Sequence, residues 1–104
     1  MQLREIAHAR TGDKGNVISI SLIARRDEYF EVLREQVTAE RVTAHFAGLV
    51  EQPVLRYEIP HLRALNFVLF RPGNQAVTRS LALDAHGKCL ASGLLALDIV
   101  YAGD

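Results

Sequence analysis

Between Val17 and Ala24 apolar residues alternate without interruption: Ile18, Ile20, Leu22 and Ala24 fall on one face, while Ser19 and Ser21 share the other with Val17 and Ile23. A period of two is that of a β-strand with one face on a core. A weaker alternating run, Leu3 to Ala9, precedes it, and only Thr11 to Gly15 joins the two. A parallel return needs a dozen or more residues, so this short link commits the pair to an antiparallel hairpin. Whatever follows has to be built on that hairpin.

Arg25-Arg26-Asp27 ends the second strand, and Asp27 is placed to cap a helix, its carboxylate accepting from the free amides of the first turn. Phe30, Leu33 and Val37 stand at i, i+3, i+7; Val42, Phe46 and Leu49 repeat that spacing one residue out of phase. The phase change predicts a break near Thr38, with Thr38 capping a second helix and Gly48 supplying a left-handed stop. Pro53 opens a short strand, Val54 to Ile59, with Leu55, Tyr57 and Ile59 inward and Arg56 and Glu58 outward, and Pro60 closes it. Leu62 to Phe70 is apolar almost throughout, and periodicity does not separate a buried helix from a buried strand there. We read it as a helix with Leu62, Leu65 and Leu69 as its core stripe. Phe70-Arg71-Pro72-Gly73-Asn74 reads as a turn.

Two strands complete the chain, Ala76 to Asp84 and Leu90 to Tyr101, tied by Asp84-Ala85-His86-Gly87-Lys88. The continuous apolar run in the last one predicts cover on both faces and a central place in the sheet. This order of elements predicts an α+β sandwich, a mainly antiparallel sheet of about five strands covered by helices on one face. At 104 residues the expectation is a single domain, 1–104.

Composition bounds the function. No apolar run approaches the roughly 20 residues of a bilayer span, and Met1-Gln2-Leu3-Arg4-Glu5 carries a charge pair where a signal peptide has its apolar run. A cytoplasmic protein with no membrane association is expected. Twelve basic and twelve acidic residues cancel, which removes the field that would attract nucleic acid. Zero net charge with 49% hydrophobic residues favours a homo-oligomer. Cys89 is the lone cysteine, so neither an internal disulfide nor a paired-cysteine zinc site is expected. The histidines, at 8, 45, 61 and 86, include no i, i+4 pair, and no metal is expected.

The chemistry is concentrated in His8-Ala9-Arg10-Thr11-Gly12-Asp13-Lys14-Gly15-Asn16, read as the tip of the hairpin. Gly12 and Gly15 can take positive φ and turn backbone amides inward as an anion nest, with Arg10 or Lys14 adding a full charge for a carboxylate, phosphate or thioester oxygen. Lys14-Gly15 leads into a strand and not into a helix, unlike a nucleotide phosphate loop. His8 with Asp13 would make a base and its orienter, with Thr11 and Ser80 as hydroxyls in reserve. The plainer alternative is a solvated loop in which Asp13 ties Arg10 or Lys14. Asn66, the lone amide in an apolar run, must bond backbone or ligand, and backbone is the expected partner. Arg79, between Val77 and Leu81, needs a carboxylate or an anionic ligand, with Asp13 or Glu58 as structural partner.

The first of these motifs, with Leu33-Arg34-Glu35-Gln36-Val37-Thr38-Ala39-Glu40-Arg41-Val42, Ala64-Leu65-Asn66-Phe67-Val68-Leu69 and Thr78-Arg79-Ser80-Leu81, resembles the AtuA-like domain of the acyclic terpene utilisation family over nearly the whole chain. The resemblance implies a ferredoxin-like α+β domain, either fused behind a much larger acyclic terpene utilisation domain or standing beside it as a separate small protein; this chain resembles the separate form. It also implies a place in catabolism of branched, isoprenoid-like acyl compounds through acyl-CoA intermediates. The positions matching the shared motif are His8, Arg10, Gly12, Asp13, Lys14, Gly15, Asn16, Asn66, Arg79 and Ser80. His8 and Asp13 are thus the candidate catalytic residues, and the other eight the candidate substrate-binding residues. Arg71-Pro72-Gly73-Asn74-Gln75 departs from the glycine-rich run found there in relatives.

The implied role is an accessory subunit to a larger protein of the same family, with an acyl-CoA or carboxylate ligand and no cofactor. An independent small enzyme or binding module using the same loop, and a purely structural interaction domain, are the alternatives. Whether the chain is an enzyme stays open at this point.

Overall fold

The hairpin forms, with a tighter tip than its sequence suggests. In the computed structural model, which describes residues 1–70 and 87–101, β1 (Ala7–Lys14) pairs antiparallel with β2 (Val17–Ala24), Ala7 opposite Ala24 and Lys14 opposite Val17. The expected first strand is displaced: Leu3–Glu5 is a single 3-10 turn, and β1 runs on through the stretch read as a loop. Only Gly15 and Asn16 are left to turn the chain. Gly15 has φ +63° and Asn16 is not left-handed, the pattern of a type II′ turn, whose twist matches the strands it joins.

Ile18, Ile20, Leu22 and Ala24 are buried as the alternation requires. Next to β2 lies β4 (Ala64–Phe70), and outside that β3 (Glu51–Ile59), giving an antiparallel sheet in the order β1-β2-β4-β3. The segment read as a helix over Leu62 to Phe70 is therefore a central strand. Leu65, Phe67 and Leu69 are fully buried, while Asn66, Val68 and Phe70 point to the other face and stay half-buried. Leu62 ends in the turn Pro60–Leu62, exposed, and Arg63 enters β4 in the left-handed region at φ 55°.

The expected faces of β3 are also reversed. Val54 is buried and Arg56 reaches the helices, whereas Leu55 and Tyr57 are exposed. The strand starts earlier than expected, carries Pro53 inside it, and shifts register between Glu51 and Leu55. An edge strand tolerates such a proline and bulge.

The helices cover one face. Arg26, not Asp27, is the N-cap of α1 (Asp27–Gln36), and it makes no side-chain cap bond. The break at Thr38 is present: its hydroxyl accepts from the Arg41 amide at 3.1 Å and starts α2 (Ala39–His45). Phe30, Leu33, Val37, Val42 and Phe46 join the core, but Leu49 is exposed; Gly48 takes φ +84° in the turn beyond α2. The Arg56 guanidinium donates to the Arg34 carbonyl at 2.8 Å, satisfying an acceptor near the C-terminus of α1.

The run from Leu90 is not a central strand. Gly87–Leu95 is a helix, α3, whose buried Leu90, Ala91 and Leu94 follow helical spacing. Beyond it the chain is extended and pairs with the N-terminal residues: the Leu3 amide donates to the Leu97 carbonyl at 2.9 Å and the Ile99 amide to Met1 at 2.9 Å. Gln36 fastens this tail by accepting from the Val100 amide and donating to its carbonyl, and Arg41 donates to the Asp98 carbonyl at 2.7 Å. The sheet has four strands among the described residues. The turn at Phe70 to Asn74 and the strand expected over Ala76 to Asp84 lie outside them but for Phe70, as do Arg79 and Ser80.

Thr38→Ala is expected to lower unfolding stability by about 1 kcal/mol, the usual worth of an N-cap hydroxyl, and Phe67→Ala by about 3–5 kcal/mol through the cavity it leaves. Urea titration followed by circular dichroism reads both.

Candidate functional site

The nine-residue motif does not fold into a cup. Seven of its residues, His8 to Lys14, are laid along β1, an edge strand among the described residues, and only Gly15-Asn16 turns. Gly12 stands in regular register opposite Ser19 and has no left-handed φ. Of the two glycines expected to shape an amide nest, only Gly15 has that geometry. Most of the motif's backbone is committed to the ladder with β2.

Strand alternation then sorts the candidates by face. His8, Arg10, Gly12 and Lys14 stand at positions opposite Ile23, Ser21, Ser19 and Val17, on the side away from the helices. Ala7 and Ala9 pack toward the core, and Asp13 occupies a position of their parity, opposite Ile18. His8 and Asp13 are five residues apart on one strand, about 17 Å along it and on opposite faces. β1 therefore does not bring the expected base and its orienter together. Arg10, Thr11, Gly12, Gly15 and Asn16 are exposed, and His8 is half-buried.

Asn66 meets none of the motif directly, but it organises the centre of the same face. Its Nδ2 donates to Ser19 Oγ at 2.9 Å and to Ser21 Oγ at 3.1 Å. The expected backbone partner is replaced by two hydroxyls from the neighbouring strand. Cross-strand register sets Arg10, Ser21, Asn66 and Tyr57 in one row over all four strands. A half-buried patch of hydroxyl and amide groups thus sits mid-sheet, with a cation at one edge, a phenol at the other, and Ile23, Ile59 and Val68 around it. Such a surface can hold a carboxylate or carbonyl oxygen by hydrogen bonds and lay a hydrocarbon body on the aliphatic rim.

Ser19, Ser21 and Tyr57 were not among the expected site residues. Their signal was present: the alternation of β2 already put both serines on its non-core face, and reading Leu62 to Phe70 as a strand would have set Asn66 beside them. On the helical side, His45 Nε2 lies 2.7 Å from the Gly93 carbonyl, a structural contact between α2 and α3. The Arg34 guanidinium holds the Glu31 carboxyl below the usual carboxylate range through a direct hydrogen bond, on an exposed helix surface away from the sheet face. Among the described residues no cluster of three His, Cys, Asp or Glu side chains is placed to hold a metal, and no helix is long and apolar enough to cross a membrane.

Asn66→Ala is expected to cost about 1 kcal/mol, the net worth of its hydrogen bonds, whereas the triple change Ser19→Ala, Ser21→Ala, Asn66→Leu should be close to neutral because no polar partner is stranded. Urea midpoints of the single and triple variants decide between this and a cluster with no structural weight.

No curated protein and no solved structure matches the chain. A family model does: the AtuA ferredoxin-like domain, over residues 1–100. Among the described residues the match takes in β1 with its motif, the paired strands β2 and β4 with their serine and asparagine cluster, and α1, α2 and α3. On that match, and with an antiparallel sheet backed by helices as its fold, the chain belongs to the AtuA ferredoxin-like domain family.

Proposed function

We propose that this domain is an accessory subunit to a larger protein of the acyclic terpene utilisation type, and that it contributes β1 and its tip to a shared site for branched, isoprenoid-like acyl-CoA compounds. The observation that carries the reading is the display of the motif. Arg10, Gly12, Gly15 and Asn16 are exposed, among the described residues, along an edge strand and its turn, so a second surface closing over them would enclose them. Charged and polar groups gain most for recognition once water is excluded. The roles follow from chemistry and position. Arg10 and Lys14 supply cations for a thioester, carboxylate or phosphate oxygen, Gly15 and Asn16 let a partner's backbone or ligand approach the tip, and Asn66 with the two serines supplies hydrogen bonds mid-sheet. His8, on the same face as Arg10, is the candidate proton carrier; Asp13 is left to a role on the other face. Arg79 and Ser80 complete the set of motif positions.

Co-expression with a neighbouring large protein of the same family, followed by size exclusion, should give a complex that elutes together. Arg10→Glu should weaken that complex by at least about tenfold, the loss of one well-placed charge contact. A thermal-shift panel of CoA thioesters against the complex should show a rise in Tm that Lys14→Ala removes. Failure of the two proteins to co-elute at any ratio sinks the reading.

A further inference from the structure

Gly12 is the residue the lone chain does not explain. It lies in the interior of β1, in unbroken register, with no left-handed φ, and a Cβ added there would meet nothing within 4 Å. Neither backbone strain nor crowding within the described chain demands glycine, and a mid-strand glycine weakens a strand by removing a side chain and adding entropy to the unfolded state. Its position is on the sheet face that the helices leave bare. Glycine in a strand interior often marks a place where another chain or ligand approaches closely.

From this we propose that the bare face is the interface of a two-fold homodimer, with β1 of each copy lying over β3 of the other. A two-fold axis along the strands, between β2 and β4, keeps each cross-strand row over the same row of the second copy, reversed. The row Gly12, Ser19, Val68, Leu55 then sets Leu55 of one copy over the space at Gly12 of the other. In the next row Arg10 comes over the Tyr57 ring, a cation–π arrangement, and the central Ser21 of each copy faces Asn66 of the other.

The other face-to-face two-fold axis, across the strands, stacks β1 on β1 in reversed direction and gathers the positions of His8, Arg10 and Lys14 from both copies along one edge. Like charges disfavour it. Strand spacing and rise give the face a flat footprint of about 19 by 24 Å, about 460 Å² before any side-chain relief, against the roughly 800 Å² per partner of a standard interface. Two such faces pack about 10 Å apart with their strands within about 30° of alignment, so the rows meet approximately.

This dimer uses the sheet face that the accessory role also draws on, so the two associations exclude each other on one copy, and the test of the dimer uses the chain alone. Analytical ultracentrifugation up to about 100 μM should give twice the chain mass. Gly12→Val, which has room among the described residues and favours a strand, should keep the circular dichroism spectrum yet weaken the dimer by at least about tenfold. Leu55→Asp, at an exposed position, should do the same. A chain that stays at single mass over the whole range, as expected if the face belongs instead to a larger partner, overturns the proposal. So does a dimer whose dissociation constant neither variant changes.

Discussion

Everything on both faces of this sheet depends on the register of β2 against β4. With Ser21 opposite Asn66, Ile18, Ile20 and Leu22 fall beside Leu69, Phe67 and Leu65, and six buried side chains share one face. A slip of one residue would turn that set toward water, a change that a sheet with a single buried face cannot absorb. The polar cluster on the opposite face marks the same register. Asn66 Nδ2 reaches two hydroxyls that stand two residues apart on one strand face, which a slip of one residue would undo. Hydrophobic burial supplies the bulk of the driving force, while the amide bridge helps to select one alignment among those that burial alone would leave close in energy.

How far the chain can be read before it folds depends on whether its two faces differ. In β2 they do, and both its boundaries and its buried set follow from alternation. The helix break at Thr38 was equally plain, because a stripe that jumps by one residue leaves few other solutions. β4 hid itself: Val68 and Phe70 are apolar although they lie on the bare face, so only Asn66 betrays the period. In β3 the apolar residues Leu55 and Tyr57 sit on the bare face, while Arg56 is drawn under α1 by the Arg34 carbonyl, which inverts the reading. α3 was lost in the same way, its helical spacing masked by Leu95 and Ala96 beside the buried residues. A surface that is itself apolar erases the contrast on which sequence patterns rest.

The motif shows the reverse case. Its composition was conspicuous, but its shape was not, because Gly12 and Gly15 look alike in a sequence and differ only once paired. Gly15 turns the chain at a φ that few other residues adopt, while Gly12 continues a strand that almost any residue could continue. Composition alone puts Gly12 in a loop and predicts a pocket, where the structure has a strand that is an edge among the described residues. Residues that were expected to converge on one point are instead spread along a line and divided between two faces. This favours recognition of an extended surface over enclosure of a small molecule by the chain acting alone.

The pairing of Met1 to Leu3 with Leu97 to Ile99 places the two ends of the described chain side by side, at the end of the sheet where β1 begins and away from Gly15 and Asn16. A tether fixed at either end would thus hold the molecule by its base and leave the hairpin tip to swing outward as the leading point. Joined covalently to a larger body or carried as a free piece, the module would offer the same tip, because the strand that bears it departs from beside the anchor and runs directly away from it.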